Sequence, residues 1–229
     1  MKSELFPKRT HVSALGGFAI PIVTVQVGIS LMGTVDALMV GRVSATDLAA
    51  VALGHLYFMT VSSFGTGTLL ALDTVISQAV GSGKKKRIDL GIQRGLLLTI
   101  PLSLITGVLL LPAQDLFVLL RQPAETIPMA SGYAIASIVG ILPLYGFLVL
   151  RQSLQCLGAF SPIVWAVVIG NTTNIVLNWI FVFGHLGAPE MGAVGAGWAT
   201  AAGRWVMAFV VLKRGWFWLE THLGSFRKE

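Results

Sequence analysis

Two carboxylates and one row of carboxamides are the residues best placed to do chemistry here. Asp36 and Asp73 sit within long apolar runs, whereas the other eight acidic residues fall in loops or tails. A carboxylate in hydrocarbon costs at least ~2.5–3.5 kcal/mol on insertion scales, which marks it as a candidate site element. Burial favours its neutral form and a nearby cation its charged form, so one such group can exchange a proton for Na⁺ as a cavity opens and closes. The other reading of Asp36 is a carboxyl hydrogen-bonded to a neighbouring helix. Asp73, in Leu72-Asp73-Thr74 and near Ser77 and Gln78, fits a transport role or a structural, gating contact. Asn171, Asn174 and Asn178 are spaced by three, four and seven, which puts three amides on one helical face. Such a stripe belongs against the bundle interior, where it can surround Asp36, supply oxygen ligands to Na⁺, or hydrogen-bond between helices.

Other polar residues carry weaker signals. His55 is read chiefly as an interface histidine, although it can titrate near neutral pH. The single cysteine, Cys156, excludes an internal disulfide and offers no metal-ligand spacing. Arg204 falls inside the last apolar run, and helix pairing or snorkelling is favoured over a site role. Neither a nucleophile–base pair nor a phosphate-binding glycine loop is visible, so the expectation is a protein that is not an enzyme and has no cofactor beyond a coupling ion.

These residues need a scaffold, and composition says what kind. Hydrophobic residues make up 55% of the 229 and charged residues 11%, with a mean hydropathy of +0.80. Lipid is the solvent for such a chain, and unbroken apolar runs indicate helices over a barrel. At roughly 20 residues per crossing, spans are expected near 15–40, 50–80, 95–118, 128–150, 162–183 and 193–212. The fold class is therefore an all-α membrane protein, a six-helix transmembrane lobe over 15–212. Residues 1–14 form an amino-terminal segment, and 213–229 an interfacial tail or connector.

Thirteen basic residues fall in the segments that share a side with the amino terminus, against Arg42 and Arg121 opposite. That bias places both termini in the cytoplasm. The net charge of +6 clusters between apolar runs, which favours membrane orientation over nucleic-acid binding. The run Lys84-Lys85-Lys86-Arg87 is read as an orientation signal and a contact for anionic lipid. Pro21, Pro101 and Pro143 interrupt spans and can bend them, and Gly192, Gly195, Gly197 and Gly203 allow close helix packing in the last.

Several segments together resemble the multidrug and toxic compound extrusion (MATE) family, in its NorM-type bacterial branch. They are Val35-Asp36-Ala37-Leu38-Met39-Val40-Gly41-Arg42, Ser77-Gln78-Ala79-Val80-Gly81-Ser82-Gly83, and Leu177-Asn178-Trp179-Ile180-Phe181-Val182-Phe183-Gly184. The resemblance implies the amino-terminal half of an inner-membrane, cation-coupled antiporter that exports small organic, often cationic, compounds. It makes Asp36 the first-helix aspartate implicated in coupling Na⁺ or H⁺, and Asn174 and Asn178 polar positions of the same pocket. Asp73 matches an acidic position seen in some members. Members carry two six-helix lobes, so a second lobe or a second copy is an implied partner, along with the bilayer. The alternatives are a non-transporting fragment or partner subunit, and a lipid-intermediate flippase, which would need a more cationic cavity than Arg204 alone provides.

Overall fold

In the computed structural model, residues 9–223 are described, with side chains from Ala19 onward, so the outer parts of the expected amino-terminal segment and tail lie outside the described residues. The order is α1 (Arg9–Val40), α2 (Ala45–Gly81), α3 (Lys85–Leu110), α4 (Ala113–Leu119), α5 (Ile127–Ile138), α6 (Ile141–Cys156), α7 (Ser161–Phe181), a 3-10 turn (His185–Gly187) and α8 (Gly192–Leu223). Five of these helices are long and apolar enough to cross a membrane, and α5 with α6 makes a sixth, bent crossing. The chain is an all-α, multi-pass membrane protein.

Local chemistry explains the boundaries. Ser44 caps α2 through its Oγ, which accepts from Asp47 N at 2.9 Å, and the Ser44 hydroxyl donates to Asp47 Oδ2 at 2.6 Å. The other carboxylate oxygen of Asp47 accepts from Ala193 N at 2.9 Å, so one acid holds the first turns of both α2 and α8. At the far end of α2, Gly83 takes φ +66°. Lys84 N then reaches Ala79 O at 3.1 Å and Gly83 N reaches Val80 O at 3.0 Å, the pair of bonds that closes a Schellman turn. Consequently α3 begins at Lys85, inside the basic run and ten residues before the expected span.

Proline corrects two further expectations. The run 95–118 is not one helix, because Pro112 separates α3 from the short α4. The run 128–150 is broken after Ile138, with a 51° bend between α5 and α6. Pro143 has no N–H to offer the carbonyl of Val139 four residues earlier. The Trp205 indole of α8 donates to that carbonyl at 3.1 Å, which satisfies the group the proline leaves free. Gly140 lies in the same break, where an added Cβ would stand 2.9 Å from the Ala201 Cα, so α8 crosses here against bare backbone.

α8 packs most extensively on α7 and also against α5 and α6, while α1 leans on α7 and α8. Near the α1–α2 turn, helices meet through glycine. A Cβ on Gly54 would come within 2.8 Å of Ala130 O, one on Gly197 within 3.0 Å of Tyr133 O, and one on Gly195 within 2.7 Å of the Phe181 backbone. At the opposite end α8 runs on beyond 212 as continuous helix to Leu223. There His222 Nδ1 lies 2.5 Å from Asp89 Oδ1, and Gln93 donates to His222 O at 2.9 Å, docking the extension on α3.

Candidate ion and substrate site

α1 is held against α7 and α8 by small residues, and that closeness builds the site. A Cβ on Gly28 would overlap Val167, and Gly203 sits between Met32 of α1 and Gly170 of α7. Asn171 fastens this contact by donating to Gly28 O at 2.9 Å and to Val167 O in its own helix at 2.8 Å. One and two turns further along α7, Asn174 and Asn178 point at α1. There the Asp36 carboxylate, 1% exposed, accepts from Asn174 Nδ2 at 3.0 Å and Asn178 Nδ2 at 2.6 Å, both at Oδ1. Its Oδ2 accepts from the Thr200 hydroxyl of α8. The donors brace one another, because Asn174 also donates to Thr200 Oγ1 and Asn178 to Asn174 Oδ1, each at 3.2 Å.

Three neutral donors therefore hold a buried acid that makes no ion pair; the one ion pair among the described residues is His222–Asp89. A carboxylate has about four acceptor sites, so three bonds leave one open. Asn178 Oδ1 is buried with no hydrogen-bond partner and adds a second free acceptor of the kind a hard cation uses. No cluster of three or more His, Cys, Asp or Glu that could bind a metal occurs among the described residues.

Asp36 and Thr200 also form part of the wall of an open cavity of about 380 Å³ lined by α1, α2, α6 and α8. Each helix gives it one face at helical spacing: Leu144, Phe147, Leu148 and Arg151 from α6 follow each other at three, four and seven, and Thr200, Arg204 and Met207 from α8 at four and seven. His55 lines it too, with its Nδ1 3.4 Å from the Tyr133 hydroxyl.

The MatE family matches the chain over residues 21–180. The multidrug resistance protein MdtK of Pectobacterium atrosepticum is 35% identical over 204 residues, which are 89% of this chain and 45% of that protein. NorM of Photobacterium profundum is 38% identical over 204 residues, with the same two coverages. The chain belongs to the MATE family. Its fold follows that of a MATE crystallised in complex with MaD3S, with a TM-score of 0.79, 25% identity, and coverage of 91% of this chain and 46% of that one. It also follows the outward-facing conformation of a multidrug resistance MATE family transporter of the MOP superfamily, with a TM-score of 0.79 and 25% identity over 91% of this chain and 45% of that one. The chain thus has the architecture of one MATE lobe and spans about 45% of the length of the curated relatives it matches.

Within this MATE lobe the polar residues singled out by spacing separate. Asn174 and Asn178 meet Asp36, but Asn171 does not, because its amide is taken by the backbone of α1 and α7. Asp73 lies on an exposed face of α2 outside the cavity. Its carboxylate accepts from the Cys156 thiol at 3.4 Å and interacts electrostatically with Arg151, and the Ser77 hydroxyl bonds Thr74 O instead. Arg204 does not snorkel. It is 8% exposed, with its guanidinium 4.2 Å from the centre of the Phe58 ring on the cavity wall. Arg151, counted from sequence among the basic residues of a loop, lies inside α6 and lines the same cavity. Thr200 and Arg151 were legible only as periodic partners of Arg204 and Phe147, a signal that needs the helix boundaries first.

Proposed function

We propose that this chain is a lobe of a cation-coupled efflux transporter for small organic compounds, in which Asp36 binds Na⁺ or H⁺ and the adjoining cavity receives substrate. The observation that carries this reading is the Asp36 cluster. An acid buried among neutral donors has no ion-pair partner to balance its charge, and a proton or Na⁺ is the simplest group to neutralise it. Membership of a family whose relatives are called multidrug resistance proteins supports the substrate breadth.

Coupling needs no contact between ion and substrate. Each has to favour one conformation of the transporter over the other, and each then alters the other's affinity. The arrangement of the relatives makes a second lobe, supplied by further sequence or by a second copy, part of the proposal. So is placement in the inner membrane with both termini in the cytoplasm, which the basic α2–α3 turn supports.

Everted vesicles from cells producing the protein, given an imposed Na⁺ or pH gradient, test this reading. Gradient-driven accumulation of ethidium is expected, and Asp36→Asn should abolish it. Equal accumulation by wild type and variant would remove Asp36 from the coupling step.

A further inference from the structure

We propose that the groove between α2 and α3, beside the basic turn that joins them, is a site for one anionic phospholipid. Its phosphate sits between Arg87 and Arg94, and its acyl chains follow the two helices into the bilayer. The inference deepens the reading of the basic run as a lipid contact and rests on the cytoplasmic placement of that turn. The groove shares no residue with the cavity beside Asp36.

Arg87, Leu90 and Arg94 follow each other on α3 at three and four, so they share one face. With Val75 and Gln78 of α2 they flank a groove of about 490 Å³. Glycine brings the two helices together beneath it. A Cβ on Gly91 would stand 3.1 Å from the Ile76 side chain, and one on Gly95 2.7 Å from that of Leu72. Both arginines are exposed, and among the described residues neither makes an ion pair. The acids nearest in sequence are engaged elsewhere, Asp89 with His222 and Asp73 with Cys156. The groove is therefore lined by two permanent positive charges and no negative one.

Depth decides what such a groove meets. The contacts of His222 with Asp89 and Gln93 set this part of α3 level with the end of α8. One to two turns earlier in α8, on the membrane side, Trp216, Phe217 and Trp218 are exposed, as aromatic residues are at a membrane–water interface. Arg87 and Arg94 thus lie at headgroup depth, roughly 10 Å apart along the α3 axis. Beyond Arg94 the same face of α3 continues into the span as exposed apolar surface through Leu98, Pro101 and Ile105, at steps of four, three and four. A soluble anion would use only the charged end of this surface, whereas a phospholipid uses both. Basic pockets between helices on the cytoplasmic side hold anionic headgroups, and a guanidinium can meet two phosphate oxygens at once.

The test uses the delipidated chain in dodecylmaltoside, titrated with dioleoyl phosphatidylglycerol or dioleoyl phosphatidylcholine and read by native mass spectrometry. The first phosphatidylglycerol should bind at least about fivefold more tightly than the first phosphatidylcholine. Arg87→Gln/Arg94→Gln should abolish that preference. Lys85→Gln/Lys86→Gln, which removes the same charge outside the groove, should weaken phosphatidylglycerol binding less than about twofold. Glycerol 3-phosphate in large excess should displace none of the lipid. If the double arginine variant does not fold, Arg94→Gln alone decides, with a loss of about fivefold expected. Equal binding of the two lipids, equal losses from the arginine and lysine pairs, or unchanged binding in Arg94→Gln would overturn the proposal. Displacement by glycerol 3-phosphate would also overturn it, by making a free phosphate the ligand. Neither an ion gradient nor the orientation of the chain enters the measurement. Its failure therefore leaves the coupling and topology readings intact, and a failure of either leaves the groove standing.

Discussion

Replacing Asp36 separates the charge of the site from its hydrogen bonds. In Asp36→Asn the side-chain oxygen still accepts from Asn174 and Asn178, and the Thr200 hydroxyl can rotate to accept from the new amide. Three charge-assisted bonds become neutral ones, a loss of about 1 kcal/mol each. Against that roughly 3 kcal/mol stands the relief of removing a carboxylate from the membrane, at least ~2.5–3.5 kcal/mol. The two nearly cancel, so Asp36→Asn should melt close to wild type. Asp36→Leu has the same relief but leaves three donor hydrogens with no acceptor. Each amide retains its second bond, to Thr200 or to Asn174, so the low end of the orphaning cost applies, about 1 kcal/mol per donor. For a chain of this length 1 kcal/mol moves the melting temperature by roughly 2–4 °C. The leucine variant should therefore melt about 6–12 °C below the asparagine variant, followed by tryptophan fluorescence in detergent. Melting of the two variants within about 2 °C of each other would refute the three-donor cluster.

Two other predictions address the frame around the site. Trp205→Phe removes the donor to Val139 O and should cost about 1–3 kcal/mol in wild type. In a Pro143→Ala background, where a backbone N–H is again available to that carbonyl, the same substitution should cost clearly less, and additive losses in the melting cycle would show the bond to be idle. Asp47→Ala should destabilise by about 1–3 kcal/mol and speed amide hydrogen exchange at Ala193, whereas Asp47→Asn, which keeps an acceptor for Ala193 N, should lose less than half as much. Equal exchange rates at Ala193 in wild type and Asp47→Ala would separate that acid from the start of α8.

The membrane class and the crossings followed directly from hydropathy, because apolar runs of this length have few other folded outcomes. Asp36, Asn174 and Asn178 were legible for a related reason, since strongly polar side chains inside such runs must find one another. Asn171 shares their periodicity but sits one turn nearer the start of α7, where α1 presents the Gly28 carbonyl, and spacing within one helix does not say what the neighbouring helix offers. Thr200 escaped notice because a threonine can bond its own helix backbone and so is cheap anywhere in a span. Arg151 was misassigned through a boundary error, as the run expected to stop at 150 is helix to Cys156. The bend at 139–140 was visible only as Pro143, and its partner Trp205 lies 62 residues away in sequence.

The glycine contacts near the α1–α2 turn divide the lobe mechanically. Where Gly54, Gly195 and Gly197 lie, backbone rests on backbone, and no rotamer exists through which that region could yield. Around the cavity the exposed Met59 is a long unbranched side chain that can re-seat by turning single bonds, whereas Met32 and Met207 are buried. The lobe is thus stiff where glycines bring backbones together and yields most readily at Met59. Met32 and Met207 are wedged against Gly203 and Gly170, so their seating is tied to the alignment of α7 and α8, on which the Asp36 cluster depends.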